Sequence, residues 1–142
     1  MTPPHALTLS LPAGFSLPGV ATSHGWYALA PYRWEAATLT LHRVEALPSG
    51  VVAHLEITQD GETLCVRSDK ELTAADIGEV ANRVRWCLRL DEDLSEFGEL
   101  CAADPELCAS VQPSGGRLLR CPTLWEDVVK TILNGSTNSP AS

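Results

Sequence analysis

With 142 residues, 44% of them hydrophobic and 20% charged, the chain has the composition of a folded globular protein and not of a disordered one. Its apolar runs are too short to cross a bilayer, and the opening MTPPHALTLSLPAG places no Lys or Arg ahead of its apolar stretch. Neither a membrane span nor a secretory leader is therefore expected, and the cytoplasm is the default location. Eighteen acidic against ten basic side chains leave a formal charge of −8, which works against phosphate neutralisation and so against tight non-specific binding to nucleic acid.

Residues 6–68 carry the period-2 pattern of strands broken by turn residues. Leu7 to Leu11 and Trp26 to Leu29 read as short strands, and Leu17 to Thr22 between them reads as a plain turn. Thr38 to Val44 alternates, with Leu39 and Leu41 on one face and Thr38, Thr40 and His42 on the other. The turn Leu47-Pro48-Ser49-Gly50 leads to Val51, Ala53, Leu55 and Ile57, and Asp60-Gly61 leads as a hairpin into Leu64 and Val66. Connections this short force antiparallel neighbours, so a curved antiparallel sheet of four or five strands is expected.

Beyond Lys70 the period becomes helical. Thr73 and Asp76 resemble a capping box, and Ile77, Val80, Ala81, Val84, Cys87 and Leu88 then share one face, which should lie on the sheet. A second helix start stands at Asp91-Glu92-Asp93, with Leu94, Phe97, Leu100 and Cys101 in common register, and a helical turn runs from Pro105 into Val111. After Ser114-Gly115-Gly116, Thr123 and Glu126 form a second capping box, with Leu124, Val128 and Ile132 on the expected buried stripe. The segment Asn134 to Pro140 is polar and helix-terminating. Strands followed by helices make an α+β fold.

Residues able to do chemistry are scattered. The five cysteines, Cys65, Cys87, Cys101, Cys108 and Cys121, contain no C-x-x-C pair and read as reduced packing thiols. His24 beside Trp26 and Tyr27 reads as core packing, the acidic run 91–93 as a helix start, and Arg83, Arg85 and Arg89 as a solvated face offset by Glu79, Asp91 and Glu92. No nucleophile elbow, phosphate-binding glycine loop or metal-ligand spacing is present, so no catalytic residue, metal or cofactor is assigned.

Two stretches, in this order and spacing, resemble the helix-hairpin-helix base-excision DNA glycosylases of the 8-oxoguanine and 3-methyladenine branches. One is Ser23-His24-Gly25-Trp26-Tyr27-Ala28-Leu29-Ala30-Pro31-Tyr32-Arg33-Trp34-Glu35. The other runs from Leu90 to Phe97, through Gly116-Arg117-Leu118-Leu119-Arg120, to Thr123-Leu124-Trp125-Glu126-Asp127-Val128-Val129-Lys130-Thr131-Ile132-Leu133. The resemblance implies two parts: residues 1–89 as a sheet-plus-helix domain, and 90–142 as the first helices of an incomplete helical domain. Such enzymes flip a damaged base out of the duplex and fill the gap left behind. The implied DNA-facing segment follows the last helix and comprises Asn134, Ser136, Thr137 and Asn138, with Ser136 where the family has its wedge Asn. Leu29 stands where the oxidised-guanine branch has a Gly that meets the lesion, which argues against 8-oxoguanine as substrate.

The family's catalytic hairpin and the Asp that follows it do not occur up to Ser142, and Leu17-Pro18-Gly19-Val20 imitates the hairpin without its second glycine. The expected partner is double-stranded damaged DNA in the full-length context. This acidic chain alone is expected to bind DNA weakly or not at all, and to be inactive. The rival expectation is a non-catalytic α+β interaction or ligand-binding module, for which the acidity is natural.

Overall fold

A computed structural model describes residues 5–111 and 113–137. Five strands, β1 His5–Ser10, β2 Tyr32–Glu35, β3 Thr40–Ala46, β4 Val52–Asp60 and β5 Thr63–Ser68, form one sheet in the order β1-β5-β4-β3-β2. All neighbours are antiparallel. The β4–β5 hairpin closes through Gly61, whose φ of 58° places it in the left-handed region that a Cβ disfavours. Among the described residues the α-helices are α1 Leu17–Ala21, α2 Ala74–Leu88, α3 Ser95–Ala102, α4 Pro105–Val111 and α5 Leu124–Thr137. None is long and apolar enough to cross a membrane.

The α+β expectation holds, with its sheet at the upper strand number. Alternation sends Leu41, Leu55, Ile57, Leu64 and Val66 to one face, where they form a core with Val80, Val84, Cys87 and Leu88 of α2. Leu17, Val20 and Ala21 of α1 join the same cluster. Both halves of the Thr73 capping box are made: the Asp76 backbone N–H donates to the Thr73 hydroxyl at 3.2 Å, and the Thr73 N–H donates to the Asp76 carboxylate at 3.1 Å.

The structure corrects several local expectations. Trp26 to Leu29 is not a strand: Gly25–Ala28 is a 3-10 turn, because Trp26 is tied by its indole N–H to Asp127, and the fifth strand is Tyr32–Glu35. Leu17 to Ala21 is helical and not a plain turn, since the Ser16 hydroxyl accepts from the Gly19 N–H and Pro18 suits a first helical turn. Leu39 does not share a face with Leu41; it adopts a φ of 53° in the β2–β3 turn and is exposed. On α3, Phe97 and Leu100 are exposed and Cys101 alone is buried, the helix being too short to bring its whole stripe onto the core.

Asp76 also ties α2 to the sheet. Its buried carboxylate accepts from the backbone N–H of Ser49 at 3.0 Å, and this bond, followed by those from Thr73, lowers its pKa from 3.8 to about 2. Because the folded value lies below the unfolded one, the contribution is fully present above about pH 4 and is lost as pH falls toward 2. Urea midpoints measured across that window should fall with pH, and Asp76→Asn should be less stable at pH 7 with a flatter acid limb. An unchanged limb in the variant would remove Asp76 from the account.

Candidate nucleic-acid interface

α5 is preceded by Thr123, whose hydroxyl accepts from the Glu126 N–H at 3.2 Å. The expected second half of this box is not made, because the Glu126 side chain is engaged elsewhere. Its two oxygens accept from the Arg43 guanidinium on β3 at 3.0 and 2.6 Å, and one also accepts from Lys130 at 2.9 Å. Arg43 in turn pairs with Glu45, which also accepts from Arg83 at 2.6 Å. Arg43, Glu45 and Lys130 are all buried, and the Tyr32 ring lies 4.4 Å from the Arg43 guanidinium carbon and 4.9 Å from the Lys130 ammonium. Burial opposes the charge of Glu126, but the bonds from Arg43 and Lys130 outweigh it and hold its pKa at about 2.

One residue on, the Asp127 carboxylate accepts from the Trp26 indole N–H at 2.8 Å and from the Cys121 N–H at 3.1 Å. These bonds turn the polar edge of α5 inward. Leu124, Val128 and Ile132, expected to be buried, are exposed, together with Trp125 and Leu133. A bidentate guanidinium–carboxylate pair and a capped Asp specify orientation more tightly than apolar contact does, which is why the helix docks by its acids.

The inner edge of α5 meets the segment ahead of β2. Leu29, Ala30, Lys130, Leu133 and Asn134 line an open cleft of about 250 Å³. Leu29 and Asn134, singled out for separate reasons and 105 positions apart, thus share one recess. The predicted turn at Asn134 is not a turn, since α5 continues through Thr137. No proline interrupts it before Pro140, and Gly135 costs an ongoing helix only about 1 kcal/mol. Ser136 and Thr137 lie on this last turn, while Asn138 falls outside the described residues.

No protein-family profile and no curated protein matches this sequence. Solved structures do. A 3-methyladenine DNA glycosylase from Archaeoglobus fulgidus superimposes with a TM-score of 0.71 at 16% identity, covering 96% of this chain and 45% of that one. MBOgg1 in complex with a low-affinity DNA ligand superimposes with a TM-score of 0.63 at 20% identity, covering 94% of this chain and 40% of the other. The chain shares the fold of the corresponding part of both structures. It spans less than half the length of either solved glycosylase.

Within this fold the other sequence candidates take structural roles. The His24 imidazole bonds the Leu119 carbonyl and meets Trp26 edge-on, with ring centroids 5.0 Å apart, so it packs the 119–121 segment against the Trp26 turn. Arg83, Arg85 and Arg89 each pair with an acid, Glu79, Asp91 and Glu92 respectively. The Asp93 carboxylate accepts from the Ser95 N–H and hydroxyl at the start of α3, the helix-start role expected of the acidic run. All five cysteines are free, and burial pushes the Cys87 thiol up to about 11. Arg43 and Lys130 were not foreseen; the Glu126–Lys130 spacing of four was the one local sign of the network.

Proposed function

We propose that the chain supplies the sheet domain and opening helices of a base-excision DNA N-glycosylase. Residues 1–89 form the first part, and 90–142 the start of the helical domain. In this reading the cleft between Leu29 and Asn134 borders the flipped nucleotide, and Asn134, Ser136, Thr137 and Asn138 face the duplex. The observation that carries it is the meeting of Leu29 and Asn134 at one recess in a glycosylase fold. The exposed row Leu124, Trp125, Val128 and Ile132 gives it further support, since a helix face this apolar is what the remaining helices of such a domain would cover.

The division of labour follows from charge. Lys130 is neutralised by Glu126 and Arg43 is shared between two carboxylates, so this part contributes shape and amide groups to recognition and little phosphate grip. Phosphate binding and the carboxylate that stabilises the cationic sugar belong to the rest of the enzyme. Leu29 fills the place of a lesion-reading Gly, so an alkylated base is favoured over 8-oxoguanine as substrate. Alone, the chain should bind DNA weakly and excise nothing.

The deciding experiment reads the coding sequence beyond codon 142 and assays its full product on duplexes carrying a single alkylated or oxidised base. The expected result is a hairpin of the form Leu-Pro-Gly-x-Gly, a following Asp, and lesion excision. Asn134→Ala should slow excision about 10-fold, the equivalent of one lost hydrogen bond of about 1.4 kcal/mol. A full product that neither excises nor prefers damaged duplex would sink the proposal in favour of the interaction module.

A further inference from the structure

The sheet face turned away from α2 carries a cluster that the glycosylase reading leaves unused. Alternation along β3 and β4 points Leu41, Arg43 and Leu55 toward α2 and His42, His54 and Glu56 to the opposite face, where His42 is buried and His54 half-buried. His42 stands directly opposite Glu56 in the β3–β4 ladder, and His54 lies one pair further along the same face, opposite Val44. His42 Nδ1 comes within 3.0 Å of His54 Nε2. One ring nitrogen from each histidine and a Glu56 carboxylate oxygen all lie within 4.8 Å of one another. On the far side of His42, a Glu35 oxygen accepts from Nε2 at 3.1 Å and is itself bonded by the Thr38 hydroxyl at 2.9 Å.

We propose that His42, His54 and Glu56 form a binding site for a divalent transition-metal ion of the zinc class, with Glu35 as the positioning residue for His42. Two imidazoles and a carboxylate suit zinc and its neighbours in ligand type, and three protein ligands leave room for water. Tetrahedral bonds of about 2.0–2.1 Å set two nitrogen ligands about 3.3 Å apart, so a separation of 3.0 Å needs only a few tenths of an ångström of adjustment.

Tautomers agree with this arrangement. Glu35 takes the Nε2–H of His42 and leaves the lone pair on Nδ1, facing the site, which is the carboxylate–histidine–metal relation seen around bound ions. His54 Nε2 then donates to His42 Nδ1 in the free protein and must pass its proton to Nδ1 or to solvent when the ion enters. Glu35 and Glu56 bring two negative charges to a dication, and the chain's charge of −8 concentrates cations around it. Arg33 and Arg67 flank the same cross-strand row and limit the affinity. The inference is independent of the glycosylase assignment.

The test is calorimetric titration of the metal-stripped protein with ZnCl2, alongside Co2+ as a visible probe of coordination. One saturable site per chain is expected, with a Co2+ spectrum typical of low coordination number. His54→Ala, at a half-exposed position, should weaken binding at least about 100-fold and abolish that spectrum, and Glu35→Gln should weaken it about 10- to 100-fold. Cys65→Ser, which removes the thiol of the same sheet face, should leave binding unchanged, and thermal midpoints confirm that each variant is folded. Should His54→Ala fail to fold, Glu35→Gln on the edge strand carries the test. The proposal is overturned by absence of saturable binding, by binding indifferent to both His54→Ala and Glu35→Gln, or by its loss in Cys65→Ser.

Discussion

Arg43→Leu is expected to lower stability by about 3–5 kcal/mol and the thermal midpoint by roughly 10–15 °C. Arg43 is 4% exposed and joins β3 to α5 through Glu126 while also neutralising Glu45, itself 5% exposed. Leucine fills much of the space but leaves the buried Glu45 with Arg83 alone and the half-buried Glu126 with Lys130 alone. The loss is an uncompensated charge and not a void, and two comparisons separate these causes. Arg43→Lys should recover little, since an ammonium cannot replace the fork that grips both Glu126 oxygens. Arg43→Leu combined with Glu126→Gln should recover a part, because the amide needs no cation and still accepts from Lys130. Urea midpoints measure the energies. Amide exchange along α5 reads the docking of the helix: with the Arg43 pair to Glu126 gone, the helix should open faster and the recess at Leu29 and Asn134 lose its wall. Equal stability of Arg43→Lys and the native chain would refute the bidentate argument.

Gly19→Ala is expected to cost about 3 kcal/mol, a fall in midpoint of roughly 10 °C, although it adds one methyl group. A Cβ at Gly19 would lie 1.4 Å from the Pro113 carbonyl oxygen and 2.3 Å from its carbon, both backbone atoms with no rotamer to escape into. Either the 113–114 segment moves away or α1 does, and α1 carries Leu17, Val20 and Ala21, each fully buried. Gly78→Ala is the matched control. It sits in the middle of α2 with nothing within 4 Å of the new Cβ, so it should stabilise the protein by about 0.5–1 kcal/mol. Thermal melts of the two variants should shift in opposite directions. A neutral Gly19→Ala would mean that α1 and the 113–114 segment are not packed as described.

Local rules carried far along some elements. The Asp60-Gly61 hairpin and the alternation through Leu55, Ile57, Leu64 and Val66 were legible because a two-residue connection and a period of two leave one register that buries the apolar set. α2 was legible because its cap, Thr73 with Asp76, and its stripe lie within one short window. The same reasoning misplaced Trp26, whose fate depends on Asp127 a hundred residues later. Of the candidate site, Leu29 and Asn134 stand out in the sequence only through resemblance, and the recess that joins them has no local sign.

What the sequence by itself determined is the α+β class, the hairpins from β3 to β5 with their antiparallel direction, and the helix α2 that follows them. Which way α5 faces was left to the tertiary structure. Helical periodicity marks Leu124, Val128 and Ile132 as one stripe, but a stripe does not say what it packs against. The answer came from a guanidinium on β3, 83 residues from Glu126, that outbid apolar burial for the inner side of the helix. The meeting of His42, His54, Glu56 and Glu35 was likewise undetermined by spacing, because three strands and two registers had to be set before those ligand atoms stood together. Short-range contacts depend on neighbouring residues alone, whereas ion pairs and clusters across strands depend on the closure of the whole chain.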